Sequence, residues 1–328
     1  FLIILTALAS AILDNVTTIL LAVPMTLVVC KQLNVSPVPF ILSQVFASNI
    51  GGAATLVGDP PNIIIASRAN LSFNDFLVHM APWVIVVMMV ITPMLVFMFR
   101  KELVNTAADR ARIDKLDEKS YLKDKVLLKK SLFVLGAVMI AFVLHTALHL
   151  EPSIVAMLGA GVLVGISRLK PKDYAMDVEW ATLVFFAGLF IMVGALVKTG
   201  ALGEFAKFLK DQVGDQASLA AMVLLFVSAI LSGIIDNIPY VASMSPVVTE
   251  LSAGISEQYG DVLWWALAFG ADFGGNATII GASANVVAIG LAHKAGIKIS
   301  FWQFAKYGIP VTLVSVAMVA PYILIRYF

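Results

Sequence analysis

The sequence is poor in charge and in cysteine. Only 13% of its 328 residues are charged, whereas a typical soluble domain carries about 25%. The single cysteine, Cys30, excludes an internal disulfide framework and a cluster of thiolates around a metal. The four histidines form no short metal-ligand pattern, and no basic face favours nucleic acid as a partner.

Hydrophobic residues make up 60% of the chain. Apolar runs of about 20 residues, the length that crosses a hydrocarbon core, recur along it. This pattern predicts an all-α polytopic membrane protein whose surroundings are the lipid bilayer. No catalytic residue or cofactor is expected, apart from Na⁺ or H⁺ as a coupling ion.

Two glycine-rich segments inside apolar runs, 47–62 and 270–285, repeat each other at an offset of 223. The identical pairs are Gly51/Gly274, Gly52/Gly275, Ala54/Ala277, Thr55/Thr278, Gly58/Gly281 and Asn62/Asn285. Upstream lie Asp14-Asn15 and Asp236-Asn237, at an offset of 222. The near-constant spacing predicts an internal duplication. Each copy is expected to form a re-entrant helical hairpin, with Asp-Asn at its tip, and a transmembrane helix broken at the glycines.

The hydropathy pattern divides the chain into a first repeat over 1–100, a cytoplasmic connector over 101–130 and a second repeat over 131–328. The predicted elements of the first repeat are a hairpin at 1–30, a broken helix at 38–66 and a span at 77–99. Those of the second are scaffold spans within 131–197, an interfacial helix at 199–215, a hairpin at 217–250, a broken helix at 262–292 and a span at 309–327. A single spanning helix is the alternative for 1–30.

Lysine and arginine are distributed unevenly between the two predicted sides of the membrane. With the connector in the cytoplasm, sixteen fall inside and five outside, as the positive-inside rule requires. The two hairpins then open from opposite sides, so the repeats are inverted. Because three spans precede the second hairpin, the offset also predicts about 90 residues, or roughly three helices, before Phe1, and hence an N-terminally truncated chain.

Polar groups inside apolar runs are the candidates for an ion site, because a carboxylate at membrane depth costs a few kcal/mol unless it is paired, hydrated or functional. The candidates are Asp14, Asn15, Thr17, Thr18, Ser48, Asn49, Gly51, Gly52, Thr55, Gly58, Asp59, Asn62, Asp236, Asn237, Asp272, Gly274, Gly275, Asn276, Thr278, Gly281, Ser283 and Asn285. Oxygen ligands for Na⁺ are predicted at Asn15, Thr55, Asn62, Asn237, Thr278 and Asn285. The N-termini of the half-helices would face an anion.

Structural alternatives exist for several of these residues. Asp14 and Asp236 could serve as N-caps of the second hairpin arms. The glycines could serve close helix packing. Asp59 could be a turn residue ahead of Pro60-Pro61.

The motifs that carry a family likeness are Leu13–Thr18, Asn49–Thr55, Gly58–Asn62, Val178–Leu183, Ile235–Pro239 and Gly281–Val287. At these motifs the chain resembles the ion transporter superfamily of arsenite pump membrane subunits, NhaD-type antiporters and citrate or dicarboxylate carriers, and within it most closely the P-protein branch. The resemblance implies a dimerising scaffold, hence a homodimer, and a mobile domain that moves by elevator-type alternating access. The short connector resembles prokaryotic members, which implies a prokaryotic inner (plasma) membrane.

The hairpin tips depart from the Ser-Asn-Thr motif of carboxylate carriers, because each adds an aspartate that would repel an organic anion. The sequence therefore favours a Na⁺- or H⁺-coupled secondary transporter, either a Na⁺/H⁺ antiporter or a cation-coupled carrier of a small inorganic ion or anion. An arsenite or di/tricarboxylate permease of the same superfamily is the alternative. A passive channel and an intramembrane aspartyl protease are remoter ones, and the motifs of the protease are missing.

Overall fold

A computed structural model describes residues 1–102, 124–167, 170–178, 180–200, 216–253 and 257–328, with 203, 204 and 207. Within these residues the regular structure is helical. Much of the connector and most of the predicted interfacial helix at 199–215 lie outside the described residues.

The helices fall into three groups along the chain. The first contains α1 (Leu2–Ile12), α2 (Asn15–Leu33), α3 (Val38–Gly52), α4 (Pro60–Ala69), α5 (Phe73–His79) and α6 (Ala81–Met98). The second contains α7 (Lys125–Leu148), α8 (Pro152–Ser167), α9 (Pro171–Asp177) and α10 (Trp180–Lys198). The third contains α11 (Ala217–Ile234), α12 (Asn237–Ala253), α13 (Glu257–Gly274), a 3-10 turn (Ile279–Gly281), α14 (Ser283–Lys294) and α15 (Phe301–Tyr327).

Residues 1–33 form two helices rather than one. Leu13 and Asp14 are extended, and Asp14 caps the N-terminus of α2. Ile235 is extended in the same way between α11 and α12. Pro24 lies inside α2 and does not end it, since α2 continues to Leu33.

Several element bounds differ from those that hydropathy predicts. The apolar stretch 77–99 is divided at Met80, and its first residues belong to the short helix α5, which a capping box of Ser72 and Asp75 starts. Helix α7 begins at Lys125, where Asp124 caps it, and α15 begins at Phe301, where Ser300 caps it. Hydropathy places both starts later, because lysines interrupt the apolar run in the early turns, at Lys125, Lys129 and Lys130 in α7 and at Lys306 in α15.

Five described helices are long and apolar enough to cross a membrane: Asn15–Leu33, Ala81–Met98, Lys125–Leu148, Ala217–Ile234 and Phe301–Tyr327. Their outward faces carry many large apolar side chains, including Phe133 at 76% and Ile325 at 85% exposure. Such a surface needs lipid as its solvent. The chain is an integral, polytopic, all-helical membrane protein.

The first glycine-rich break is tied to the first hairpin by side-chain hydrogen bonds. Ser10 Oγ donates to the Ser48 carbonyl at 2.7 Å, and Thr55 Oγ1 donates to the Ala11 carbonyl at 2.7 Å. Across the break itself, Asn62 Nδ2 donates to the Thr55 carbonyl at 3.0 Å. The bonds to Ala11 and Thr55 satisfy carbonyls at the interruptions of the helices, where the regular backbone hydrogen bonding ends.

The second break repeats these three bonds at offsets of 222 and 223. Ser232 Oγ donates to the Ala271 carbonyl at 2.6 Å, and Thr278 Oγ1 donates to the Gly233 carbonyl at 2.7 Å. Asn285 Nδ2 donates to the Thr278 carbonyl at 2.8 Å. The sequence duplication is therefore also a duplication of local structure.

The two copies are interlocked. Helix α1 packs on α3 and α11 packs on α13, each within one copy. The second hairpin arms pack across copies, since α2 contacts α14 and α12 contacts α4. This exchange brings both hairpin tips to the broken helices of both copies.

Glycine is required where the first hairpin arm crosses the broken helix. A Cβ built on Gly51 would lie 2.3 Å from the Ala7 carbonyl oxygen, and one on Gly274 would lie 2.5 Å from that of Ala229. These two glycines therefore serve close helix packing, because the backbones of the two helices are in contact there.

We expect Gly51→Ala to destabilise the protein by about 1–3 kcal/mol, because the Ala7 backbone must move to admit the methyl group. The matched control is Gly161→Ala in α8, where the added methyl group meets nothing within 4 Å. There, alanine should stabilise the helix by up to about 1 kcal/mol. Thermal unfolding in detergent measures both, and an unchanged midpoint for Gly51→Ala would contradict the observed packing.

Candidate functional site

The two hairpin tips meet at a single carboxylate. Asn15 Nδ2 donates to Asp59 Oδ2 at 2.8 Å, and Asn237 Nδ2 donates to Asp59 Oδ1 at 3.2 Å. Asp59 is fully buried, and the two asparagines are at most 2% exposed. Each asparagine is the first residue of its hairpin's second arm, and Asp59 directly precedes α4, so the cross-packing of the arms creates this junction.

Asp59 does not act as a turn residue. Its side chain makes no capping hydrogen bond to α4, although it occupies the N-cap position. Both carboxylate oxygens instead accept from the hairpin tips. Its place before Pro60-Pro61 suggested a turn residue, but the Asp59 side chain serves instead as the acceptor for both hairpin tips.

A chain of amides continues from the tips into the second copy. Asn15 Nδ2 also reaches Asn49 Oδ1 at 3.3 Å. Asn49 Nδ2 donates to Asn276 Oδ1 at 3.1 Å and to Asn285 Oδ1 at 2.9 Å. All four asparagines are buried. Asn49 thus joins the two breaks across the centre of the molecule.

Asp272, in α13, is the second fully buried carboxylate of this cluster. Neither of its oxygens accepts a hydrogen bond. The Asn62 amide lies beside it, outside hydrogen-bonding geometry, and Asp59 is close enough to repel its charge. Within the described residues no lysine or arginine faces Asp59 or Asp272.

Asp14 and Asp236 lie at the edge of this cluster and are half-buried. Asp14 accepts from the backbone N–H of Thr17 at 2.8 Å and from its hydroxyl group. Asp236 accepts from the Ile238 N–H at 3.0 Å and from Ser283 Oγ at 2.6 Å. The capping alternative is therefore observed at both aspartates, and both remain close enough to Asp59 to repel it.

The remaining predicted site residues surround the cluster rather than line it. Ser48, Thr55, Thr278 and the six glycines hold hairpins and breaks together. Thr18 is not brought to the cluster, since it lines a lateral apolar cavity along α1 and α2. Thr55 Oγ1 already donates to one group and accepts from the Gly58 N–H, which leaves it little capacity as an ion ligand.

Ser10 and Ser232 are structural partners of the site that the motif analysis did not single out. They occupy matching positions in α1 and α11, at the same offset of 222, and bind equivalent carbonyls. The signal that identifies them is the offset itself, applied one residue at a time along the hairpin arms. Without that offset, a single serine in an apolar helix gives no indication of a role.

The cluster offers carboxylate and amide oxygens, which are hard ligands for a proton or a monovalent cation. In the described part of the chain no group of three or more His, Cys, Asp or Glu residues is spaced to hold a metal ion. Pro60 and Pro61 open α4 without backbone N–H groups. That half-helix therefore offers an anion fewer donors than an ordinary N-terminus.

The family model for the citrate transporter, CitMHS, matches residues 1–270. The chain belongs to this family of membrane transporters. The expected superfamily and the likeness to the P-protein branch are thereby confirmed.

Several relatives match almost the whole chain. The 46 kDa membrane protein of Mycobacterium leprae is 53% identical over 98% of this chain and 75% of its own length. An uncharacterized transporter of Mycobacterium tuberculosis is 54% identical over 100% of this chain and 76% of its own length. The human P protein is 34% identical over 98% of this chain and 48% of its own length.

We expect Asp59→Ala to loosen both hairpin tips, because Asn15 and Asn237 both lose the carboxylate oxygen that accepts their amide N–H group. Losing a charged acceptor costs about 1.5–3 kcal/mol per hydrogen bond. Hydrogen–deuterium exchange of 14–18 and 236–240 should accelerate together. Asp261→Asn removes the same charge at an exposed position and is the control. Faster exchange at one tip only would contradict a shared junction.

Proposed function

We propose that this protein is a secondary active ion transporter coupled to Na⁺ or H⁺, which performs either Na⁺/H⁺ antiport or cation-coupled transport of a small anion. The observation that carries the proposal is the junction at Asp59. There, both hairpin tips converge on one buried carboxylate. A second carboxylate, Asp272, lies nearby without a donor.

Charge balance supports a cation as the coupling ion. Two neighbouring carboxylates buried in an apolar bundle repel one another and lose their hydration. Among the described residues no basic side chain compensates Asp59 or Asp272. A transported proton or Na⁺ supplies the missing positive charge.

The same charges argue against the di/tricarboxylate alternative. An organic anion at the tips would meet Asp59, with Asp14 and Asp236 at the edge. An arsenite permease has less support as well, since Cys30 lies late in α2 and lines an apolar cavity away from the cluster. A passive channel would share the lining but would couple no gradient. A protease dyad does not fit Asp14 and Asp236, because each binds groups of its own copy.

Alternating access of the elevator type is supported by how α7, α8 and α10 contact the site-bearing helices. Helix α10 meets α12 through Leu189, Val193, Ile238 and Ala242, a small apolar cluster without directional bonds. A cavity of about 540 Å³ lies between the end of α4 and the α7–α8 turn. The cavity is lined in part by His145 and reaches Leu56 in the first break.

Inverted repeats and a homodimer complete the proposal. The repeats are supported by the duplicated hydrogen bonds of the breaks, and their inversion by the charge asymmetry between the two sides. The homodimer rests on the family resemblance. The mycobacterial relatives support a prokaryotic inner membrane as the location.

The decisive test is transport by the full-length protein in liposomes that contain a pH-sensitive dye. A Na⁺ pulse should move protons with wild type and with the exposed-site control Asp261→Asn. We expect Asp59→Asn and Asp236→Asn to reduce the rate at least tenfold, because the ionisable groups at the junction are lost. An active wild type that moves no protons would exclude the antiporter and direct the search to labelled small anions. Rates equal to that of wild type in both variants would remove Asp59 and Asp236 from the mechanism.

Asp14 allows its capping role to be separated from a transport role. Asparagine is as good an N-cap as aspartate, whereas alanine costs about 1 kcal/mol. We therefore expect Asp14→Asn to keep the thermal midpoint and lower Na⁺-driven proton movement, and Asp14→Ala to lower both. If Asp14→Asn transports as wild type does, Asp14 is a cap only.

A further inference from the structure

The duplication provides an internal comparison for the two buried carboxylates. Asp272 corresponds to Asn49 at the offset of 223, and Asn62 corresponds to Asn285. The pair Asn49–Asn285 and the pair Asp272–Asn62 therefore occupy equivalent places, related by exchange of the two copies.

The two pairs differ in how completely they are hydrogen-bonded. Asn49 Nδ2 donates to Asn285 Oδ1 at 2.9 Å, and Asn285 Nδ2 donates to the carbonyls of Gly275 and Thr278 at 2.7 and 2.8 Å. At the equivalent place, both oxygens of Asp272 and the side-chain oxygen of Asn62 are buried and accept nothing. The Asn49–Asn285 pair is closed by an amide hydrogen bond, and the Asp272–Asn62 pair leaves three oxygens without a donor.

Two features explain why the pair does not close: the donor of the other pair is Asn49, whereas the Asp272 carboxylate has no N–H group, and the Asn62 nitrogen faces its own break. Asn62 Nδ2 donates to the Thr55 carbonyl at 3.0 Å, as Asn285 does to Thr278. The amide nitrogen is thereby held by the break, and it does not form a hydrogen bond with the Asp272 carboxylate. A buried carboxylate without any donor is stable only when it holds a proton or binds a cation.

Asp59 stands in a different situation. Both of its oxygens already accept from amide donors, and hydrogen bonds to the charged form stabilise that form. It can therefore remain ionised while it holds the tips together. The negative charge of Asp59 adds to the attraction that a cation beside Asp272 experiences.

We propose that Asp272, together with the Asn62 side-chain oxygen, binds the coupling Na⁺, for which a proton competes, whereas Asp59 is the fixed charge that joins the hairpin tips. This assignment rests on the proposed cation-coupled function. It gives the two carboxylates separate roles and places the exchangeable cation at the pair that lacks the amide hydrogen bond.

The substitution that tests the site is Asp272→Asn, because it recreates at this place the residue pair of the other copy. An amide hydrogen bond to Asn62 then replaces the unpaired carboxylate, as in Asn49–Asn285. The variant should fold, and its thermal midpoint without Na⁺ should exceed that of wild type. Loss of the Na⁺ effect in this variant could therefore not be attributed to misfolding.

The measurement is thermal unfolding of the purified full-length protein in NaCl and in choline chloride at equal ionic strength. For wild type and for Asp261→Asn we expect a midpoint that rises with Na⁺ concentration, by linkage of binding to folding. For Asp272→Asn we expect that rise to be lost. Where the proton occupies the site, the Na⁺ concentration for half the effect should increase about tenfold for each unit that pH falls.

Three results would overturn the assignment: no Na⁺-specific rise in wild type, an undiminished rise in Asp272→Asn, or a half-effect concentration independent of pH. The liposome assay distinguishes this failure from failure of the proposed function. Coupled transport without the Na⁺-dependent rise overturns the Asp272 site alone. A Na⁺-dependent rise lost in Asp272→Asn, without coupled transport by wild type, overturns the transporter mechanism and leaves the binding site.

Discussion

A carboxylate buried inside an apolar bundle must find donors or a cation, and the centre of this molecule is arranged around that requirement. Asp59 obtains its donors from Asn15 and Asn237, the leading residues of two hairpin arms that are far apart in the chain. The arms reach Asp59 because each packs on the broken helix of the other copy. If the charge were absent, the two tips would face each other as unpaired amide donors.

The duplicated architecture positions this junction, and the residues that differ between the copies supply its charges. The bonds from Thr55 and Thr278 to the hairpin carbonyls are the same in both halves. The acids Asp59 and Asp272 instead stand opposite Ala282 and Asn49, which carry no charge. A symmetric scaffold therefore holds an asymmetric set of charges.

This asymmetry suits a transporter that couples one ion to another movement. The glycines at 51 and 274 bring backbone against backbone and make each hairpin and its break a rigid unit. The contact of α10 with α12, by contrast, is a small cluster of apolar side chains. In the proposed elevator mechanism this charged unit would move as a whole along the apolar contact, with a cation neutralising it in transit.

The sequence by itself determined the membrane class, the duplication and most of the polar residues of the cluster. These follow from composition and from a constant offset, which can be read without knowing any contact. It also predicted the family, which the matched relatives confirm. Helix starts at Ser72, Asp124 and Ser300 were harder to locate, because local capping rather than hydropathy sets them.

Only the tertiary structure decided what each acid contacts. Sequence reasoning left Asp59 between a turn residue and an ion ligand, and left Asp14 between a cap and a site residue. The cross-packing of α2 and α12 makes Asp59 the shared acceptor, while Asp14 turns to its own helix N-terminus. That Asp272 has no donor depends on the orientation of Asn62. Hydrogen-bond partners are a property of three-dimensional proximity, which spacing along a chain does not encode.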